Sequence, residues 1–353
     1  MSFQHIRLRA GQRALNHLRE HGLSPSDIAC IPAAAGGPKG LALIPFDRWL
    51  FGEWLPKAGA TPALVGASIG AWRMAAAAQR DPLAALDRLA QVYIEGQRYR
   101  ENVSAGEVAA VIVQLAEAVS QPWEARPEVP LRVLVSRAVG PLAGKTTRGA
   151  FGRVVLANTL ARERMARHLN RHVFTSGPQH PLDDLWQDAF ATREHRLTDE
   201  NCVPALTASG SIPLICDAVA KIPGLPDAQY WDGGLIDYHI HLPYERLSGI
   251  TLYPHFVEGI VPGWLDKFLP WRRQGFGRGP AWLSSMLLMA PSPALLARLP
   301  NNKLPDRKDF YHYGIDHAAR EAAWHRAMGE CQRMADEFAR WAENPDLSVV
   351  LPL

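Results

Sequence analysis

Serine, aspartate and glycine fall into three short segments whose types and spacing could build an acyl-transfer site. Gly66-Ala67-Ser68-Ile69-Gly70 is a GxSxG pattern, with the apolar run Ala63 to Val65 before it and the alanine-rich run Ala71 to Gln79 after it. In a nucleophile elbow the serine sits on a strained strand-to-helix turn, and the next amide, here on Ile69, faces the substrate. Gly66 and Gly70 would leave room for close packing. The start of the following helix adds partial positive charge, which favours an oxyanion. The same residues also fit a plain helix start in which Ser68 is only an N-cap. Ala35-Gly36-Gly37-Pro38-Lys39-Gly40 is a second glycine loop between an apolar run and a helical one. Its amides could complete an oxyanion hole, except at Pro38, which has no N–H. Lys39 would add positive charge. The competing reading is a turn that merely needs small residues.

A base is required to activate a serine hydroxyl. Asp232-Gly233-Gly234 follows Tyr230-Trp231, and a carboxylate on such a turn can be aimed into a cleft. It would have to lie about 2.6–3.2 Å from the hydroxyl, and desolvation would raise its pKa. A DG turn is also common in any fold. His239 and His241 form an HxH pair that on a strand would share one face. No acidic or cysteine partner is so placed in sequence as to make a metal site of them, so no metal is expected. A Ser-His-Asp triad using one of them stays open as the rival of a Ser68–Asp232 dyad.

Other chemistries find less support. The GxGxxG spacing of a dinucleotide loop is absent. Gly140 to Thr146 approaches a phosphate loop, but its leading glycine is one position too close because Val139 takes the required place; a basic surface loop is the better account. The four cysteines, Cys30, Cys202, Cys216 and Cys331, include no CxxC pair, so reduced thiols and a cytoplasmic location are expected. Net charge is +3, from 38 basic and 35 acidic side chains, too mild to imply nucleic acid. It permits weak attraction to an anionic lipid surface. The first ten residues lack the apolar stretch of a signal peptide, and no run is long enough to span a membrane. A soluble or at most peripheral protein is expected, with no cofactor.

These segments must be held by a frame. The chain has 353 residues, 47% of them hydrophobic, enough for a large buried core. Ile28 to Ala34 and Ala63 to Val65 read as buried strands, each ending in a glycine loop. Leu41 to Trp54 and Ala71 to Gln79 read as helices. That alternation predicts a parallel sheet with helices on its faces. Helices are also expected over Gly11 to His21, Leu83 to Tyr99, Gly106 to Val119, much of Phe151 to Leu169, Leu182 to Phe190, Pro204 to Ser209 and Ile315 to Glu343. Further strands are expected at Leu131 to Ser136, His172 to Thr175, Tyr230-Trp231 and Thr251 to Phe256, with none after that. No linker or internal repeat is evident, so one domain with insertions is expected over residues 1–353.

Taken together and in this order, the loop 35–40, the GxSxG at 66–70 and Asp232-Gly233-Gly234 resemble the patatin-like phospholipase family. Ala208-Ser209-Gly210-Ser211-Ile212-Pro213 is similar to the family's small-residue segment upstream of its aspartate. The resemblance covers about residues 28–243 and leaves a mainly helical C-terminal extension, about 257–345. It implies an α/β fold with a three-layer α/β/α core. It implies a Ser68–Asp232 dyad without a catalytic histidine, an oxyanion hole lined by Gly36, Gly37, Lys39 and Ile69, and hydrolysis of lipid acyl esters through an acyl-enzyme, as in a phospholipase A or lysophospholipase. The chain departs from the family at Ala35, where a first glycine is usual, and after Gly234, where Tyr238 and Pro243 stand near the expected asparagine and proline. A small-ester esterase or thioesterase and a non-catalytic lipid-binding scaffold are the alternatives. Gly263 to Arg273, rich in aromatic and basic residues, and the apolar run Trp282 to Met289 fit either a lid facing lipid or ordinary core packing.

Overall fold

Ile6, Leu8 and Ala10 are buried while Arg7 is exposed, so the first residues form a strand, β1 (Ile6–Ala10), by period-two alternation. In the computed structural model, which describes residues 3–144, 148–272 and 279–353, this strand joins a ten-stranded mixed sheet. The others are β2 (Ile28–Ala33), β3 (Ala63–Ala67), β4 (Leu131–Ala138), β5 (Leu169–Ser176), β6 (Thr192–Arg196), β7 (Tyr230–Asp232), β8 (Ile250–Pro254), β9 (Met286–Pro291) and β10 (Val350–Pro352). The order is β10-β1-β9-β8-β2-β3-β4-β5-β6, with β7 paired to β4 off this path. The run β9-β8-β2-β3-β4 is parallel throughout. Its strands are buried on nearly every residue, as strands covered on both faces should be.

Helices α1 (Gln12–His21), α2 (Ile44–Trp49), α3 (Ile69–Ala77), α4 (Pro82–Glu95), α5 (Ala105–Ser120), α6 (Arg148–Leu160) and α7 (Asp199–Gly210) precede a long C-terminal helix, His317–Glu343. The long helix presents Phe338 to Phe46 and Trp49 of α2, at ring separations of 5.2 and 5.8 Å. Under the same layer Arg73 of α3 donates to the buried carboxylate of Asp47 at 2.6 and 2.7 Å. A buried pair of that geometry ties the helix after Ser68 to α2.

Several expectations need correction. Leu41 to Trp54 is not one helix. A 3₁₀ segment, Gly37–Leu43, leads into α2, then a π-helical segment, Leu50–Trp54, and a 3₁₀ turn, Leu55–Ala58. Pro45 and Pro56 sit at the first turns of two of these pieces, where their missing N–H costs nothing. Leu182 to Phe190 is helical only over Pro181–Leu185. Beyond it Asp188 turns to Arg171, 2.6 Å away, and to the Phe190 amide, which draws the chain out of helix. The run Trp282 to Met289 is not a lipid-facing surface: Met286 to Pro291 is β9, fully buried between β1 and β8. The C-terminal segment thus supplies a strand to the interior of the sheet besides its helices. Lys145, Thr146 and Arg273, parts of the basic loop and the aromatic segment, lie outside the described residues. Among the described residues no helix is long and apolar enough to cross a membrane. All four cysteines are buried and free.

Candidate active site

Sheet register brings the three segments together. Ala33 at the end of β2 pairs with Gly66, and Ala67 at the end of β3 pairs with Leu134 of β4. The next residue of β4, Val135, pairs with Asp232 of β7. Where β3 stops, β7 takes over the same edge of β4, so Asp232 follows Ala67 by one rung, about 3.3 Å along the strand. The glycine loop, Ser68 and Asp232 thus meet beyond the C-terminal ends of β2 and β3, where open parallel sheets bind ligands.

Ser68 has φ 57° and ψ −131°, a left-handed conformation that costs about 1–3 kcal/mol for a residue with a Cβ. It stands at the N-cap position of α3, yet its side chain makes no cap hydrogen bond. The N-cap reading therefore fails on geometry. The turn survives because Ser209 Oγ accepts from the Ser68 amide at 3.0 Å and donates to the Leu134 carbonyl at 2.8 Å. Close approach explains the flanking glycines. A Cβ on Gly66 would meet the Gly70 carbonyl at 2.4 Å, and one on Gly70 the Ala33 carbonyl at 1.9 Å. Likewise a Cβ on Gly40 would strike Ile69, one on Gly233 the Leu134 carbonyl, and one on Gly234 the Ala35 and Asp232 side chains. If the turn is strained, Ser68→Gly should unfold at higher denaturant concentration than Ser68→Ala. The expected gap is ~1 kcal/mol; an alanine variant at least as stable as the glycine variant would remove strain from the account.

Asp232 is buried, and its amide donates to the Ser211 carbonyl at 2.7 Å. Its Oδ1 accepts from the Gly234 amide at 2.7 Å. Burial raises the carboxyl from 3.8 to about 6; the nearby Ser68 hydroxyl, the Gly234 amide and the charge of Arg307 hold it back from rising further. The segment Ala208 to Pro213 therefore braces both partners, Ser209 the serine and Ser211 the aspartate. The amides of Gly36, Gly37 and Ile69 have no protein acceptor among the described residues. The Ala35 amide is taken by the Tyr238 carbonyl at 2.9 Å. Gly37 has φ 58°, so its place needs glycine. Lys39 lies over the Phe256 ring at 5.4 Å, and burial lowers its pKa.

Two spaces open on Ser68. A smaller cavity of about 200 Å³, with several charged side chains on its wall, is lined by Gly36, Gly37, Lys39, Ser68 and Asp232, among others. A larger groove of about 450 Å³ runs from Ser68 between Ile69, Trp72, Ile112, Leu115 and Phe310 and is mainly apolar. His239 and His241 line neither. His239 stacks on Tyr238, and its Nδ1 accepts from the Val261 amide; His241 packs beside Trp282. Burial holds both neutral by lowering their pKa values, His241 to about 4. The triad alternative lacks the geometry it needs. No metal-binding group of His, Cys, Asp or Glu occurs among the described residues.

Arg307 was not singled out by sequence. It lines both spaces, yet it belongs to no glycine loop and no recognisable motif. In the aromatic segment Trp264 lines the smaller cavity and packs on Phe151, while Phe268 and Trp271 are exposed. No family model matches the chain, and no curated protein is significantly similar to it.

Proposed function

We propose that the protein is a serine acyl hydrolase of lipid-type esters, with Ser68 as nucleophile and Asp232 as base, on a three-layer patatin-like core. The reading rests above all on one observation: a strained serine and a buried carboxyl share one cavity. Asp232 accepts the Ser68 proton as the oxygen attacks the ester carbonyl. The developing oxyanion lies among the Ile69, Gly36 and Gly37 amides, with Lys39 nearby. Each such donor is worth about 3–4 kcal/mol in the transition state. Collapse expels the alcohol, which takes its proton from Asp232, and leaves an acyl-serine. Water then attacks with Asp232 again as base, and the acid is released. No cofactor is called for.

The apolar groove favours an acyl chain over a small acyl group. A series of p-nitrophenyl esters from acetyl to decanoyl tests this. At ~0.8 kcal/mol per buried methylene at most, kcat/KM should rise about two- to fourfold per carbon until the groove is full. A maximum at acetyl would replace lipid esters by small esters. The exposed Phe268 and Trp271 suit contact with a membrane or micelle surface, which belongs to the same proposal.

A further inference from the structure

Helix α6 is apolar on two faces. Phe151 and Val154 turn inward and are buried, while Val155, Leu156 and Leu160 stand 40, 60 and 60% exposed. Among the described residues no other helix from α1 to α7, nor the long C-terminal one, exposes a large apolar side chain to that degree. A surface helix ordinarily keeps its outer face polar, so packing on the core explains the inner residues and leaves the outer ones without a purpose in the fold.

Charge gathers around the same face. Residues 148–167 hold five arginines, Arg148, Arg153, Arg162, Arg164 and Arg167, and one acid, Glu163, a local charge of +4 in a chain whose net charge is +3. Arg162 donates to the Ile236 carbonyl at 2.7 Å; the other four are exposed. Arg153, Leu156 and Leu160, spaced three and four apart, share one stripe of the helix, and Arg164 follows in the next turn.

The face is coupled to the candidate active site. Phe151 and Val154 share a core cluster with Trp231 and Leu235, which stand on either side of Asp232 in sequence. Phe151 also packs on Trp264, which lines the smaller cavity. Arg272 donates to Asn158 Oδ1 at 3.2 Å and to the Thr159 carbonyl at 3.3 Å, and so ties the segment bearing Phe268 and Trp271 to the end of α6.

Leucines between arginines fit an anionic lipid surface: the leucines enter the acyl region while the guanidinium groups stay among the lipid phosphates. Nucleic acid would match the charge but leave the leucines in water. We propose that the outer face of α6 docks the protein on an anionic bilayer. The proposal rests on the lipid-ester reading for its purpose, but binding alone decides it, so either can fail without the other.

Co-sedimentation with vesicles tests it, using phosphatidylcholine alone and equal parts of phosphatidylcholine and phosphatidylglycerol. Ser68→Ala is run beside the wild type so that no lipid is consumed. Both proteins should bind the mixed vesicles about 10- to 100-fold more tightly than the neutral ones, the scale of several arginines near an anionic surface, and added salt should release them. Leu156→Ser with Leu160→Ser should weaken that binding about tenfold or more. Arg153→Gln with Arg164→Gln should remove most of the preference for the anionic lipid. All four side chains are exposed, so both paired variants should unfold at the wild-type denaturant concentration. No binding to the mixed vesicles, equal binding to the two kinds, or binding unchanged in either paired variant overturns the proposal. So does a dimer in sedimentation velocity that Leu156→Ser with Leu160→Ser dissociates, which would make this face a contact between two copies.

Discussion

Ser68→Ala is expected to lower kcat/KM for ester hydrolysis by about 10⁴- to 10⁶-fold, the scale on which nucleophile deletions act, with the fold intact. The fold should survive because the hydroxyl carries none of the turn. The Ser68 amide, not its side chain, is held by Ser209, and α3 starts without a side-chain cap. Alanine keeps that amide, the oxyanion donors and both substrate spaces. Binding of a non-hydrolysable ester analogue should therefore change little, and the loss should fall in kcat. A loss of less than about tenfold would move the nucleophile elsewhere, since no residual mechanism at this site retains a covalent step.

Asp232→Asn should act on activity and stability in opposite directions. Asparagine can still accept the Gly234 amide, but it cannot take a proton. A loss of about 10³- to 10⁴-fold is expected, as for other missing bases and their orienting partners. In the wild type the base must be ionised, so kcat/KM should climb with pH through about 6 and level off above it. In the variant that limb should vanish from the residual rate.

The stability effect follows from the same carboxyl. Its pKa is raised on folding from 3.8 to about 6, chiefly by burial. The folded state therefore binds the proton more tightly than the unfolded one. That advantage is full below about 4, fades between 4 and 6, and above 6 leaves the wild type bearing a buried charge. A difference of this size corresponds to at most ~3 kcal/mol. Denaturant unfolding at pH 8 should find Asp232→Asn more stable than the wild type, with the gap closing by pH 4. A variant less stable at pH 8 would mean that Asp232 serves the fold.

How far the sequence led differs from element to element for physical reasons. β2 and β3 were legible because short apolar runs end in glycine loops, and the elbow was legible from its two glycines. The meeting of Ser68 with Asp232 was not. It depends on β7 continuing the edge of β4 where β3 stops, a pairing between residues far apart in sequence. β1 was missed although Ile6, Leu8 and Ala10 alternate with arginines, because five residues offer little period. β9 was not read as a strand because a strand buried on both faces is a plain apolar run without alternation. β6, an edge strand with exposed charges, carries almost no apolar signal. Arg307 escaped because it belongs to no motif, and its place on the walls of both spaces beside Ser68 appears only in three dimensions.

The central claim is that Ser68 is an activated nucleophile with Asp232 as its base, and covalent labelling tests it most directly. Purified protein would be reacted with a fluorophosphonate, with and without detergent micelles, and digested for mass analysis of the adduct. The account predicts one adduct, on the peptide containing Ser68, formed by the wild type and lost in folded Ser68→Ala and Asp232→Asn. No adduct under either condition, an adduct on another residue, or undiminished labelling of Asp232→Asn would contradict it.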